Sequence, residues 1–292
     1  VSVKVFINGE LFDEGEARVP VFDRGFLYGD SVYEVFRTAG GKPVDMEPHL
    51  DRLERSATAL VLPLPPRADI EAAVAATMEA AANSESYVRV IVTRGKGAIG
   101  LDPALAVEPL LIVIARPLQS PSAEQYAAGI KLQIVGVERT SRRAVDPAVK
   151  SGNYLNSVMA LAEARQHEAY EAIMLDRDGR VAEGSTSNVF VVKDGRLRTP
   201  NLEVGILGGI TRWRVLRIAG ELGVETEEGE VWPDDLRGAD EVFITSSIRG
   251  VLPVREVGSA EGVHRPGAGA PGPATRRIMD RYEAFLGEVA TG

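Results

Sequence analysis

The segment Glu171-Ala172-Ile173-Met174-Leu175-Asp176-Arg177-Asp178-Gly179-Arg180-Val181-Ala182-Glu183-Gly184-Ser185-Thr186-Ser187-Asn188-Val189-Phe190-Val191-Val192 decides how this chain is read. Its apolar ends, 172–176 and 189–192, are bounded by turn residues and predict strands. Between them one carboxylate, Glu183, enters a loop of small residues that runs straight into the second strand. Such a Glu is either an exposed turn residue or a carboxylate held against a cationic ring nitrogen. In the second case Ser187 and Asn188 supply hydroxyl and amide groups beside it.

Working outward, strands are expected at 3–7, 32–38, 87–94, 110–115, 130–137 and 241–246, from their β-branched and aromatic content. Residues 3–9 alternate and then turn, which predicts a strand entering a hairpin. Apolar spacing predicts a helix over 48–62 with Leu50, Leu53, Ala57 and Leu60 on one face. A second is expected over 66–82 with Ile70, Val74, Thr77, Met78 and Ala81 on one face, Asp69 and Asn83 serving as its end signals. Further helices are expected over 154–166, 211–222 and 274–286, and the Gly/Pro-rich stretch 258–273 reads as a surface loop. Pro117 and Pro121 bracket polar residues, so 117–122 is the expected linker. The expected class is α/β of the α+β type, with a small α/β domain over 1–116 and a larger, β-rich α/β domain over 123–292.

Composition narrows the chemistry. The 292 residues carry 33 Lys+Arg against 42 Asp+Glu, a net charge of −9, which argues against nucleic acid or an anionic membrane as partner. There is no cysteine, so disulfides, thiolate metal sites and thiol nucleophiles are excluded. The three histidines, His49, His167 and His264, are scattered, and no metal site is expected. His49 is expected to be a helix residue near the surface. No apolar run reaches the roughly 18 residues of a spanning helix. A soluble, cytoplasmic protein is expected.

Several segments hold candidate functional groups. Lys150 follows Ala148-Val149 and precedes a Gly-Asn turn where a helix starts. Most lysines are solvated, but partial burial would lower its pKa and yield the neutral amine that bonds to a carbonyl carbon. Leu207-Gly208-Gly209-Ile210-Thr211-Arg212 opens a helix with Thr211 as N-cap candidate, leaving backbone N–H groups for an anion. Thr245-Ser246-Ser247 ends a strand and supplies hydroxyls. Arg52 is either a helix-surface arginine or a phosphate clamp. An amine, a carboxylate for a ring nitrogen and phosphate contacts together make the inventory of a pyridoxal 5′-phosphate site.

The order and wording of these segments resemble the class IV aminotransferases, pyridoxal-phosphate enzymes of fold type IV. The matching stretches are VPVFDRGFLYGDSVYEVFRT (19–38), MEPHLDRLERSA (46–57), VKSGNYLNSVMALAEA (149–164), the opening segment (171–192), LGGITR (207–212), EVFITSS (241–247) and LPV (252–254). The resemblance implies that Lys150 bonds to the cofactor and later shuttles the proton. It implies that Glu183 keeps the pyridine nitrogen protonated and that Tyr154 faces the ring's phenolic oxygen. Arg52, Ile210, Thr211 and Ser247 would form the phosphate cup, with Ser187, Asn188 and Ser246 near the cofactor. The family's fold implies a homodimer, with Tyr28 and Leu101 reaching the neighbouring chain's site.

For the substrate, Tyr87-Val88-Arg89 and the loop 95–103 resemble branched-chain aminotransferases. Tyr87 would hold the α-carboxylate, Arg89 an acidic side chain, and Ile99 and Leu101 an apolar one. Tyr33 and Val35 lie on the strand beside the pocket. Val35 resembles D-amino-acid transaminases and lyases instead, and the carboxylate-binding turn reads Thr245-Ser246-Ser247-Ile248-Arg249-Gly250. Arg249 is expected at the surface, with a second carboxylate binder as the alternative. The expected reaction is ping-pong amino transfer between a hydrophobic, branched-chain L-amino acid and a 2-oxo acid such as 2-oxoglutarate. 4-Amino-4-deoxychorismate lyase and transfer from D-amino acids or (R)-amines stay open on the same scaffold.

Overall fold

The computed structural model describes residues 2–106, 108–267 and 269–292. They fall into two compact units. The first comprises 1–119 with 149–153 and 286–292, the second 120–148 with 154–285.

In the first unit an Asn-Gly turn joins β1 (Lys4–Ile7) to β2 (Glu10–Asp13). Asn8 and Gly9 both have positive φ, 42° and 103°, which a tight hairpin of this kind needs. After α1 (Arg24–Tyr28) come β3 (Ser31–Ala39), β4 (Lys42–Pro43), α2 (Met46–Ala59), α3 (Arg67–Ala81), β5 (Ser86–Thr93) and β6 (Leu110–Pro117). The strands form one antiparallel sheet in the order β2-β1-β6-β5-β3-β4. Strand alternation sorts its residues. Val32 and Phe36 of β3 and Val88, Val90 and Val92 of β5 join the core with Leu50 and Leu53 of α2 and Ile70 and Val74 of α3. The intervening residues, Tyr33, Val35, Tyr87 and Arg89, therefore share the opposite face. In register, Val35 lies across from Arg89 and Tyr33 from Ile91.

The second unit runs α4 (Ala123–Ala128), β7 (Ile130–Ile134), α5 (Leu155–Gln166), β8 (Glu171–Leu175), β9 (Val181–Gly184), β10 (Asn188–Lys193), β11 (Arg196–Pro200), α6 (Ile210–Glu221), β12 (Thr226–Gly229), α7 (Pro233–Arg237), β13 (Glu241–Ser246), β14 (Gly250–Ser259), β15 (Gly262–His264) and the greater part of α8 (Pro273–Thr291), whose residues from 286 onward belong to the first unit. Its sheet has the order β12-β11-β10-β13-β14-β7-β8-β9, with β15 beside β14. Leu132, Ile173, Val189, Val191, Val242, Ile244, Leu252 and Val254 build its core.

The structure differs from the sequence expectations at several points. The helix expected over 66–82 is capped by Pro66 and closed by Ala82 in a left-handed conformation. Asp69 lies in its first turn, and Asn83 instead bonds Ser2 and Ser86. The stretch 258–273 is not all loop, because β14 continues to Ser259 and pairs with β15. The last helix runs five residues past 286. Residues 149–153 cluster with the first unit rather than with the segment from 123 onward. The cause is backbone pairing: Tyr33 N–H donates to Lys150 O at 3.0 Å, and Ser151 bridges Val32.

Candidate active site

In the first unit, that pairing lays the backbone of Lys150 along β3. On its other side, Lys150 N–H donates to Ser56 Oγ at 3.1 Å. Ser56 sits one helical turn beyond Arg52 on α2, so one helix face presents both residues. The Lys150 ammonium nitrogen lies 4.5 Å from the centre of the Tyr33 ring, and the Arg89 guanidinium lies 4.0 Å from the same centre. Tyr87 on the same sheet face is covered by Arg116 at 4.6 Å.

Arg52 is buried, and not a helix-surface arginine. Its Nε and one terminal nitrogen donate to the two carboxylate oxygens of Glu34 at 2.7 and 2.8 Å. Glu34 is wholly buried on the core-facing side of β3, and His49 Nδ1 contacts the same carboxylate at 2.6 Å. Burial raises the Glu34 pKa, but the Arg52 charge and hydrogen bonds override it and hold the group at about 2. His49 is likewise buried, 1% exposed and not near the surface. Glu34 draws its ring inward, where it packs 5.5 Å from Phe36. Burial pushes the His49 pKa below its ordinary value despite Glu34, so the neutral ring donates Nδ1–H.

Tyr28 accepts a hydrogen bond from Gly100 N–H at 3.2 Å, and Arg24 donates to the carbonyls of Gly100 and Leu101 at 2.8 and 3.2 Å. These contacts hold a loop whose Ile99 and Leu101 are 73% and 79% exposed. The structure thus gathers Tyr33, Val35, Tyr87 and Arg89 on one sheet face and leaves Ile99 and Leu101 in solvent.

In the second unit, Glu183 lies buried on β9, not in an exposed turn. Arg139 Nε donates to its Oε1 at 2.7 Å. Leu207 N–H and Asn188 Nδ2 donate to its Oε2 at 3.0 and 3.3 Å. A cation and two donors stabilise negative charge on this carboxylate. Asn188 also donates to Leu207 O at 3.0 Å, which ties β10 to the entry of α6. Gly209, not Thr211, is the N-cap of α6, and Ile210 and Thr211 open the helix, both buried. The backbone at Gly209 is ordinary extended chain, but any Cβ there would run into the Asn188 side chain, which packs against this helix entry. The first N–H groups of α6 have no acceptor within the helix and favour an anion. Tyr154 holds the N-cap position of α5.

Ser246 ends β13, and 247–249 turn into β14. Arg249 is not a freely solvated surface arginine, because it pairs with buried Glu171 at 2.9 Å. Thr245 Oγ1, beside Ser246, is buried without a hydrogen-bond partner. The orphaned hydroxyl, the two adjacent serines and the helix start are donors of the kind a phosphate group takes, and Glu183 is of the kind that pairs with a protonated ring nitrogen.

Sequence reading missed three charged residues. Glu34 had a signal, a charge at an inward position of an alternating strand, and so did Glu171, a charge heading an apolar one. Arg139 had none, because its partner Glu183 is 44 residues away.

The first unit thus presents a lysine whose backbone is tied to its sheet, and the second a buried carboxylate with its own cation and a helix start that suits an anion. The chain belongs to the family amino-transferase class IV, whose sequence profile matches residues 31–257, and it is an aminotransferase with the fold type IV architecture of its structural neighbours. It is 40% identical over 256 residues to a Methanocaldococcus jannaschii protein named, provisionally, a branched-chain-amino-acid aminotransferase, covering 87% of this chain and 88% of that one. It is 33% identical over 290 residues to the D-alanine aminotransferase of Bacillus licheniformis, covering 99% of both. The solved branched-chain aminotransferase of the thermophilic archaeon Thermoproteus uzoniensis, with norvaline, superposes with a TM-score of 0.88 at 33% identity, over 98% of this chain and 95% of that one.

Proposed function

We propose that this aminotransferase uses pyridoxal 5′-phosphate to move an amino group from an L-branched-chain or other hydrophobic amino acid to a 2-oxo acid such as 2-oxoglutarate. The cycle is ping-pong through Lys150, in a cytoplasmic homodimer. The observation that carries the reading is the sheet face on which Lys150 and Arg89 both approach the Tyr33 ring, beside Val35 and Tyr87. Such a face serves both half-reactions: Val35 and the ring edge suit an aliphatic side chain, and Arg89 suits the second carboxylate of 2-oxoglutarate. The fold-type relatives and the phosphate-fitting donor set support the cofactor.

When bound, pyridoxal phosphate supplies an electron-withdrawing ring that stabilises negative charge at the substrate's α-carbon. Glu183 holds the proton on the ring nitrogen. Arg52, the N–H groups of Ile210 and Thr211, and the hydroxyls of Ser246 and Ser247 bind the phosphate. Tyr154 donates to the ring's phenolic oxygen, and Ser187 and Asn188 line the ring's surroundings. Lys150 holds the cofactor through its amine and moves a proton at Nζ. Tyr87 and the turn at Ile248 take the α-carboxylate. Exposed Phe22, Phe26, Ile99 and Leu101 support burial against a second copy, where Tyr28 and Leu101 would serve the neighbouring site.

A second reading, transfer from D-amino acids, is supported by Val35 and by the D-alanine aminotransferase relative. The test is the visible spectrum of the protein with pyridoxal phosphate, before and after L-leucine, with D-alanine in parallel. Loss of the lysine-bound cofactor band with L-leucine and its return with 2-oxoglutarate is the expected result. Discharge by D-alanine alone selects the second reading, and a band that neither donor changes overturns both.

A further inference from the structure

The turn between β13 and β14 is half-exposed, and a three-residue hairpin turn of this kind is ordinarily mobile. Here it is held by side chains from three other parts of the second unit, all converging on Arg249. Tyr126 of α4 donates its hydroxyl to Arg249 O at 2.7 Å. The guanidinium donates to Glu171 Oε2 of β8 at 2.9 Å and to Thr186 Oγ1 in the loop before β10. It also lies 5.6 Å from the centre of the Tyr170 ring. Glu171 is 1% exposed and gathers more than Arg249. It accepts from Ser185 N–H at 3.0 Å, from the Ser185 hydroxyl, from Thr186 Oγ1 at 3.0 Å and from Ser187 Oγ at 3.4 Å. One carboxylate therefore sets both the loop that leads into Asn188 and, through Arg249, the turn that carries Ser246 and Ser247.

We propose that Arg249 and Glu171 are a positioning pair that locks the 246–249 turn onto the 185–187 loop, so that Ser246 and Ser247 are preset for the cofactor's phosphate. The proposal rests on the reading that these serines bind that phosphate. It assigns Arg249 no contact with substrate, because its charge and fork geometry are committed to Glu171 and Thr186. The physical gain is preorganisation: a turn already ordered loses less freedom when the phosphate binds.

The experiment is titration of the cofactor-free protein with pyridoxal phosphate, following the lysine-bound absorption band. The chains compared are wild type, Arg249→Ala, Arg249→Lys, Glu171→Gln and the Glu171→Gln/Arg249→Ala double variant, with thermal melting as the control for folding. Arg249→Ala is expected to weaken cofactor binding roughly tenfold, the scale of one lost charged hydrogen bond. Arg249→Lys recovers part of that loss, since it keeps the charge but not the fork. The double variant is no weaker than the worse single one, because the two residues act as a unit. If Glu171→Gln does not fold, the two Arg249 variants carry the test. Wild-type cofactor affinity in Arg249→Ala overturns the pair, as does an effect confined to the KM of dicarboxylic oxo acids, which makes Arg249 a substrate binder. A wild-type chain that takes up no pyridoxal phosphate overturns the functional reading and the pair with it.

Discussion

At the scale of single residues, the site is built by giving each charge a partner that fixes its direction. Glu34 takes two nitrogens of Arg52, Arg139 takes one oxygen of Glu183, and Glu171 takes Arg249. Lys150 is placed differently: its backbone is bonded on both sides, to Tyr33 and Ser56, while its amine stays on the sheet face with Tyr33 and Arg89. Removing the amine should therefore leave the fold alone. Lys150→Ala is expected to lower the transamination rate about 10²–10⁴-fold, the range for losing a proton-transferring side chain. Its melting curve should overlay the wild type. Steady-state kinetics beside a thermal melt check both halves, and a variant with near-normal turnover would remove Lys150 from the reaction. Lys150 and Glu183 were visible in the sequence because apolar or small neighbours surround them. Glu34 and Glu171 carried only the signal of a charge on an apolar strand and Arg139 carried none, because the role of each comes from a partner distant in sequence.

At the scale of elements, strand alternation does most of the sorting. On β3 and β5 one set of side chains builds the core and the other set builds the proposed substrate face, so a single period of two separates stability from chemistry. Turns between strands are where the backbone is most constrained. Gly250 closes the β13–β14 turn with φ +64°, and a Cβ there would lie 2.7 Å from Tyr282 Cε1. Gly250→Ala is expected to destabilise the protein by about 1–3 kcal/mol, from the left-handed backbone and the ring it must displace. Urea denaturation reads this as a lower midpoint, and an unchanged midpoint would mean the turn adopts another geometry. The strong strands and long amphipathic helices were legible because burial writes a period into the sequence. β9, β11 and β12 were not, for VAEG, RLRTP and TEEG carry no apolar alternation and are strands only through their neighbours.

At the scale of the whole molecule, buried charge makes stability depend on pH. Glu34 and His49 both have pKa values below their ordinary ones, so the unfolded chain binds protons at pH values where the folded chain does not. Asp30 is shifted the same way, Arg94 and Arg24 outweighing its burial. Stability should hold above pH 6.5 and decline as pH falls below that value, the ordinary pKa of His49. A further loss follows as pH falls from 4.5 toward 2, where Glu34 alone accounts for something on the order of 3 kcal/mol. Urea midpoints measured from pH 8 to pH 3 test the sign, and a flat profile across that range would rule out the buried Glu34–Arg52–His49 cluster. By itself the sequence determined the α/β class, most of the helices and strands, the exclusion of disulfide and thiol chemistry, and the lysine and carboxylate on which the proposed reaction turns. These follow from local periodicity and from residue type. Only the tertiary structure decided that His49 is buried, that Arg249 is paired, and that the chain at Lys150 joins the first unit's sheet. Each of those outcomes depends on a hydrogen bond or ion pair between residues 15 to 117 positions apart, a distance over which sequence pattern carries no phase.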